Sequence, residues 1–254
     1  MDLGLKGRRA LVTGASRGIG KVVADVLARE GCALALCARG KEQLSQVRDE
    51  LEARRVRVFA DVVDVGDPAA VRAFVEASAQ NLGGLDIVVS NASPGSLKGD
   101  DSWVDSVRGD LQAFAVLAEA ARPHLAGAGH GAIVAIGSTS ALDVGMPSGP
   151  NSFGAIKAAV LHHASALAQA YAADGIRVNV VSPGPVEFAG GAWDQVRQGR
   201  PEVYDMVKNR VALRRFGDPA EVADAVAFLL SARASFCTGA NLVVDGGLLT
   251  RVQH

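Results

Sequence analysis

The chain has 254 residues, 49% of them hydrophobic and 21% charged, with a formal net charge of −1. That length suits one large α/β domain, and the apolar share is enough for a sizeable core, which argues against a disordered chain. Near-neutral charge supplies no basic field for nucleic acid, and no run approaches the roughly 18 apolar residues of a membrane span. Cys32, Cys37 and Cys237 form no C-x-x-C pair, and three cysteines cannot make a closed disulfide set. They read as small buried hydrophobes in a reducing compartment. The chain reaches its first apolar run without a signal-like segment, so a cytoplasmic protein is expected, without nucleic-acid, membrane or metal partners.

In chain order, strand-length apolar runs fall at Ala10–Thr13, Ala33–Cys37, Val56–Phe59, Ile87–Ser90, Ala132–Ile136, Val178–Val181 and Leu242–Val244. They are apolar on both faces, as strands are in a parallel sheet covered by helices on each side. Helical spacing separates them, seen in Leu44, Val47 and Leu51 and again in Val71, Phe74, Val75 and Leu82. Two longer helices are expected over Val104–Leu125 and Phe153–Ala173. The stretch from about Pro183 to Arg215 has no strand character, is rich in glycine and holds Trp193 and Tyr204. It follows a strand's carboxyl end, where an open α/β sheet keeps its ligand, so residues 185–215 read as a lid-like segment. The alternation predicts a single α/β domain over residues 1–254: a doubly wound, Rossmann-type parallel sheet of seven strands with helices on both faces.

The first strand runs into Thr13-Gly14-Ala15-Ser16-Arg17-Gly18-Ile19-Gly20, which then opens a helix. Gly14 permits a tight turn, Gly18 lets backbone approach a pyrophosphate, and Gly20 lets helix and strand pack closely. Backbone N–H groups and the helix dipole attract phosphates there. This run resembles the glycine motif of the short-chain dehydrogenase/reductase family, in a form like its 3-ketoacyl reductases. Other landmarks follow in order. Asp64-Val65 is similar to the family's adenine-contacting segment, although Asp67 before Pro68 reads better as a helix cap. Asn91-Ala92 matches part of the family's Asn-Asn-Ala-Gly. Pro183-Gly184-Pro185-Val186 resembles the segment that holds the nicotinamide carboxamide, and Gly239 to Gly247 resembles the last strand and turn.

The resemblance implies a nicotinamide cofactor. An acidic residue after the second strand would bind a ribose 2′-hydroxyl and repel a 2′-phosphate, and none stands between Leu34 and Gly40. Arg39 stands there, and Arg17 lies in the glycine loop. Two guanidinium groups favour NADP(H), with NAD as the second choice.

The family's chemistry uses a Ser after the fifth strand and Tyr-x-x-x-Lys on the next helix. The Tyr moves a proton to or from the substrate oxygen, the Lys lowers its pKa and binds the nicotinamide ribose, and the Ser orients the carbonyl. Ser138 follows Ile136-Gly137 and resembles that Ser, with a short insertion in the loop of residues 141–150. Ser140 is the alternative, since it lies thirteen positions before residue 153, the usual family spacing. Lys157 is in place. Four residues upstream stands Phe153 instead of Tyr, which keeps the packing and removes the proton. Asp110 occupies the position of an Asn in a kinked helix; that Asn acts through its backbone carbonyl and a water, so Asp keeps the role. A Tyr seven residues before the Lys, as in enoyl reductases, would fall at Pro150. Tyr171 lies roughly 21 Å along the helix from Lys157, too far to substitute. Tyr204 could close over the site, and His162 and His163 read as structural.

Three readings follow. In the first, the chain is an NADP(H)-dependent oxidoreductase interconverting a ketone and a secondary alcohol. Phe153 is then either an introduced substitution or offset by Tyr204, Asp110 or water. In the second, it is a silent cofactor-binding subunit that pairs with an active paralogue. In the third, it senses a nucleotide. The resemblance also implies a homotetramer or homodimer.

Overall fold

The computed structural model describes residues 2–96, 99, 101–145 and 150–250. Seven strands form one parallel sheet: β1 (Arg9–Thr13), β2 (Ala33–Ala38), β3 (Val58–Val62), β4 (Ile87–Ser90), β5 (Ala132–Ile136), β6 (Arg177–Pro183) and β7 (Asn241–Val244). Their order, β3-β2-β1-β4-β5-β6-β7, reverses direction between β1 and β4. That is the switch point at which doubly wound folds open a crevice.

Side-chain alternation along the strands feeds two cores. Ala10, Val12, Leu34, Leu36, Ile87, Val89, Val134 and Ile136 pack on one face with α1 (Gly18–Arg29), α2 (Lys41–Glu52) and α9 (Pro219–Leu230). Leu11, Ala35, Cys37, Val88, Ile133 and Ala135 pack on the other with α3 (Pro68–Leu82), α5 (Ala113–Ala128) and α6 (Ser152–Tyr171). Both faces of the inner strands are therefore apolar, as the sequence implied.

The edges differ. β3 begins two residues later than expected and runs out to Asp61 and Val62, both exposed, because an edge strand needs no second buried face. The expected helix over Val104–Leu125 is three segments: α4 (Ser102–Ser106), a six-residue π-helical turn (Val107–Gln112), and α5. A Cβ at Gly109, inside the π-turn, would lie 2.8 Å from Pro94 Cδ, so glycine lets the widened turn press against that loop. The stretch after β6 is not a structureless loop. It folds into α7 (Ala192–Gly199) and α8 (Pro201–Arg210), the latter with Pro201 at its first position, where a missing N–H costs nothing. Residues 146–149, where much of the expected insertion falls, lie outside the described residues. Among the described residues, no helix is long and apolar enough to cross a membrane.

At the amino ends of the strands, Asp86 joins β1 to β4. Its Oδ2 accepts from Arg9 N at 2.8 Å and Arg9 Nε at 2.7 Å, and Oδ1 accepts from Nη2 at 3.0 Å. Burial pushes the Asp86 carboxyl up, but the hydrogen bonds from Arg9 outweigh it and hold the group below the usual carboxylate range. A depressed folded pKa contributes stability that is complete above the unfolded value of about 3.9 and is lost as pH falls through the folded value. Asp86→Ala is expected to lower the unfolding free energy by about 3 kcal/mol at pH 7. Urea titrations should show the gap between the two proteins closing below about pH 4, as the parent's carboxyl protonates.

Candidate active site

The glycine loop lies where β1 meets α1. Gly14 and Gly18 both have positive φ, at 67° and 56°, so the turn needs glycine at both. Ala15 N donates to Cys37 O at 3.1 Å, which ties the loop to the end of β2. Asn91 ties it to β4: its side-chain amide donates to the carbonyls of Thr13 (2.9 Å) and Gly14 (3.1 Å). The backbone N–H groups of Asn91 and Ala92 both donate to Thr13 Oγ1 at 3.0 Å. Asn91 and Ala92 thus act on the loop itself, a role their family match does not reveal.

The amino end of α1 has no side-chain cap and no acidic residue in its first turn. Orphan N–H groups and an unopposed helix dipole there suit a phosphate. Arg17 is the residue before the helix; Ser16 precedes it on the loop and Ile19 lies in the helix's first turn, both half-buried. Arg39 follows β2 at the same end of the sheet, and both guanidinium groups are exposed. Asp64 is exposed and accepts from Gly66 N at 3.0 Å, and the half-buried Val65 beside it packs against the second core. Asp67 is the cap of α3, accepting from Ala69 N and Ala70 N, as its place before Pro68 suggested.

At the carboxyl end of β5, Lys157 Nζ donates to Ile136 O at 2.8 Å, and the lysine side chain is only 5% exposed. Phe153 is half-buried one turn earlier on α6, with its ring centroid 5.7 Å from Nζ. Ser138 is half-buried just past β5, and its Oγ accepts from Ser140 N at 3.1 Å. Ser140 is drawn toward α6: a Cβ on Gly154 would lie 2.7 Å from Ser140 O. The structure therefore gathers Ser138, Ser140, Phe153 and Lys157 around one strand end.

Asp110, on the π-turn, turns its side chain to the lysine: its Oδ1 lies 2.8 Å from Lys157 Nζ, with the carboxylate 1% exposed. The angles fall short of a hydrogen bond, and neither carboxylate oxygen has a hydrogen-bond partner among the described residues. One turn earlier, Ser106 and Ser152 hydroxyls meet at 2.9 Å in the same buried seam.

The segment after β6 closes the site's far side. Gly184 N donates to Val244 O at 2.9 Å, next to Pro183 at the strand's end. The buried Val186 bridges to Gly217. Phe188 lies against the glycine loop, with its Cζ 2.6 Å from where a Gly18 Cβ would stand, so the open side of Gly18 faces an aromatic ring. Trp193 packs tilted and Tyr204 edge-on against Phe216, with ring centroids 4.9 and 4.4 Å away. Tyr204 donates to Glu187 Oε2 at 2.6 Å, and burial, together with that carboxylate, pushes its phenol up to about 12. Tyr204 is tied into this segment. Tyr171 is buried under Arg122, and His163 packs edge-on against Phe114, both as packing residues. Among the described residues, no group of His, Cys, Asp or Glu side chains could hold a metal ion.

A glycine loop and a buried lysine at the carboxyl edge of a doubly wound sheet are the arrangement of dinucleotide-binding oxidoreductases. The chain belongs to the short-chain dehydrogenase/reductase family. Residues 14–249 match the family model adh_short_C2, described as Enoyl-(Acyl carrier protein) reductase. The chain is 34% identical over 252 residues to isoepoxydon dehydrogenase patN of Penicillium expansum, covering 98% of this chain and 97% of that protein. A short chain dehydrogenase of Burkholderia cenocepacia J2315, solved in complex with NADP, is similar with a TM-score of 0.87 at 35% identity, covering 96% of this chain and 98% of that one. L-sorbose reductase of Gluconobacter frateurii, solved with NADPH and L-sorbose, gives a TM-score of 0.89 at 30% identity over 99% and 100% of the two chains.

The loop's close packing has a measurable consequence. A Cβ on Gly20 would stand 2.3 Å from Gly14 O and 2.4 Å from Asn91 Nδ2. Gly20→Ala is expected to lower stability by about 1–3 kcal/mol as the loop is pushed off its seat. A shifted urea midpoint reports this; an unchanged midpoint would mean the loop has slack that the structure does not show.

Proposed function

We propose that the chain is an NADP(H)-dependent oxidoreductase that interconverts a ketone and a secondary alcohol, with its proton transfer altered by Phe153. The observation that carries this reading is Lys157, an ammonium kept buried at the carboxyl end of β5 beside the glycine loop's crevice. Such a charge is costly to bury and does nothing for the core. Relatives of similar length are solved with NADP or NADPH, which supports the same cofactor here.

The residues present suit that cofactor. The uncapped end of α1 and the turn at Gly14 to Gly20 would hold the pyrophosphate, Arg17 and Arg39 the 2′-phosphate, and Asp64 and Val65 the adenine. Lys157 would hold the nicotinamide ribose, and Pro183, Gly184 and Val186 the carboxamide edge. When bound, the cofactor supplies or accepts the hydride. Ser138 orients the carbonyl through its hydroxyl, with Ser140 behind it. Residues 185–215 act as a lid whose Phe188 ring excludes water from the glycine turn. The ring of Phe153 keeps the shape of the substrate wall and offers no proton.

Arg17 and Arg39 set the nucleotide preference. Charge-assisted hydrogen bonds contribute roughly 1.5–3 kcal/mol each, so calorimetry should find NADPH bound at least tenfold tighter than NADH. Equal affinities would remove the assignment. Turnover of a ketone and secondary-alcohol panel by the parent chain then tests the reaction itself.

Phe153 also favours a second reading, a silent subunit that binds nucleotide beside an active paralogue. The surface suits assembly in either case. Phe236, Phe228 and Leu242 are exposed around the edge strand β7 and α9, and Trp103, Val104 and Val107 on α4 and the π-turn. We expect a homodimer or homotetramer by light scattering at micromolar concentration. A stable complex formed only with a paralogue would favour the silent subunit. The buried thiols of Cys32 and Cys37, which burial pushes up to about 12, fit a protein of the reducing cytoplasm.

A further inference from the structure

Two of the positions that depart from the family's pattern, Asp110 and Phe153, both face Lys157. Asp110 Oδ1 stands 2.8 Å from Nζ, and the Phe153 ring centroid stands at 5.7 Å. Among the described residues, a second polar atom on the ammonium is Ile136 O, a neutral acceptor at 2.8 Å. At residue 153 a phenol would offer the ammonium an oxygen able to carry negative charge; phenylalanine offers a ring quadrupole at nearly 6 Å, which is weak compensation. A buried ammonium without an anion is disfavoured, and so is a buried carboxylate without a cation. Asp110 has no hydrogen-bond donor of its own among the described residues, so Lys157 is its compensation as much as the reverse. The groups around the pair do not share this duty. Ser106 and Ser152 are hydroxyls engaged with each other, and His163, further along the seam against Phe114, is held toward its neutral form chiefly by burial.

We propose that Asp110 and Phe153 are one coupled change: Asp110 is a positioning residue that supplies the negative charge balancing Lys157 in a site without a phenol. It thereby takes from Lys157 the charge that would otherwise act on a group at residue 153. Restoring the tyrosine alone leaves that charge engaged. The rate part of this inference rests on the oxidoreductase reading; the electrostatic part does not, so the two can fail separately.

The experiment is a set of four proteins: the parent, Asp110→Asn, Phe153→Tyr and the double variant, each with and without NADPH. Ultraviolet difference titration of the added phenol, without nucleotide, is expected to place its pKa lower by about one pH unit or more when residue 110 is Asn. Thermal midpoints should be non-additive, with Asp110→Asn costing more in the parent chain than in the Phe153→Tyr background. Carbonyl reduction should rise about 10²–10⁴-fold in Phe153→Tyr, the usual contribution of a positioned proton donor. It should rise further in the double variant.

If Asp110→Asn does not fold, Lys157→Met and the variant combining Lys157→Met with Asp110→Asn test the Asp110–Lys157 pairing on which the coupling depends, and no gain from the second change would overturn it. With the ammonium gone, an unpaired Asp110 should be a liability, and adding Asp110→Asn should raise the thermal midpoint. A phenol that titrates at the same pH whether residue 110 is Asp or Asn, or strictly additive midpoints, would overturn the coupling. A phenol shift and non-additive midpoints, with no variant turning over any carbonyl, would keep the coupling and overturn the oxidoreductase reading.

Discussion

Lys157 carries its ammonium where water contributes almost nothing, and the top of the sheet is arranged around holding it. A charge in such a place needs an acceptor and a counter-charge within contact distance. The acceptor is the carbonyl of Ile136, at the last position of β5, where the strand stops and leaves it free for the lysine. The counter-charge comes from the neighbouring helix, which changes to a wider π-turn over the residues that include Asp110. A π-turn inside a helix is rare and concentrates at functional sites, because it re-aims side chains at a cost in regular hydrogen bonding. The glycine turn, the strand end and the π-turn then lie at one edge of the sheet, around the point where strand order reverses.

Much of this was legible in the sequence because it is written in local pattern. Strands apolar on both faces, the glycine run after the first of them, and the lysine on its helix are signals of spacing and residue type, and all appear where the pattern puts them. Boundaries were less legible where local preference competes with position in the sheet. β3 slides outward because an edge strand tolerates Asp61, and β6 runs on to Pro183 because β7 pairs with it there. The helices α7 and α8 were missed because glycines and isolated aromatics hide their short amphipathic faces. Their order comes from tertiary contact, through Trp193 and Tyr204 against Phe216.

What the sequence does not carry is which charges meet. Asp110 and Lys157 lie on different helices far apart in the chain, and nothing in the spacing says that the carboxylate would touch the ammonium. Asn91 shows the same limit from the other direction. Its match to a family motif marks it for attention, but only the fold shows its amide holding the carbonyls of Thr13 and Gly14. Phe188 is a third case, an aromatic in the segment after β6 whose contact with Gly18 depends on how that segment returns across the sheet.

These contacts divide the crevice electrostatically into two ends. Near the glycine loop, Arg17 and Arg39 are exposed, and the amino end of α1 carries no acidic residue in its first turn. That end presents two exposed guanidinium groups and a helix amino end to a polyanion. Near β5, Asp110 balances Lys157 within 2.8 Å, so the ammonium exerts little net field beyond its own hydrogen bonds. A phosphorylated dinucleotide would thus be gripped by its phosphates and meet a nearly neutral wall at its reactive end. With a phenol at residue 153 and a neutral residue at 110, the same lysine would put its charge on the proton donor. The exchange of those two side chains therefore leaves the binding end as it was and changes the electrostatics of the chemical end. For that reason, binding and turnover should be separable properties of this site.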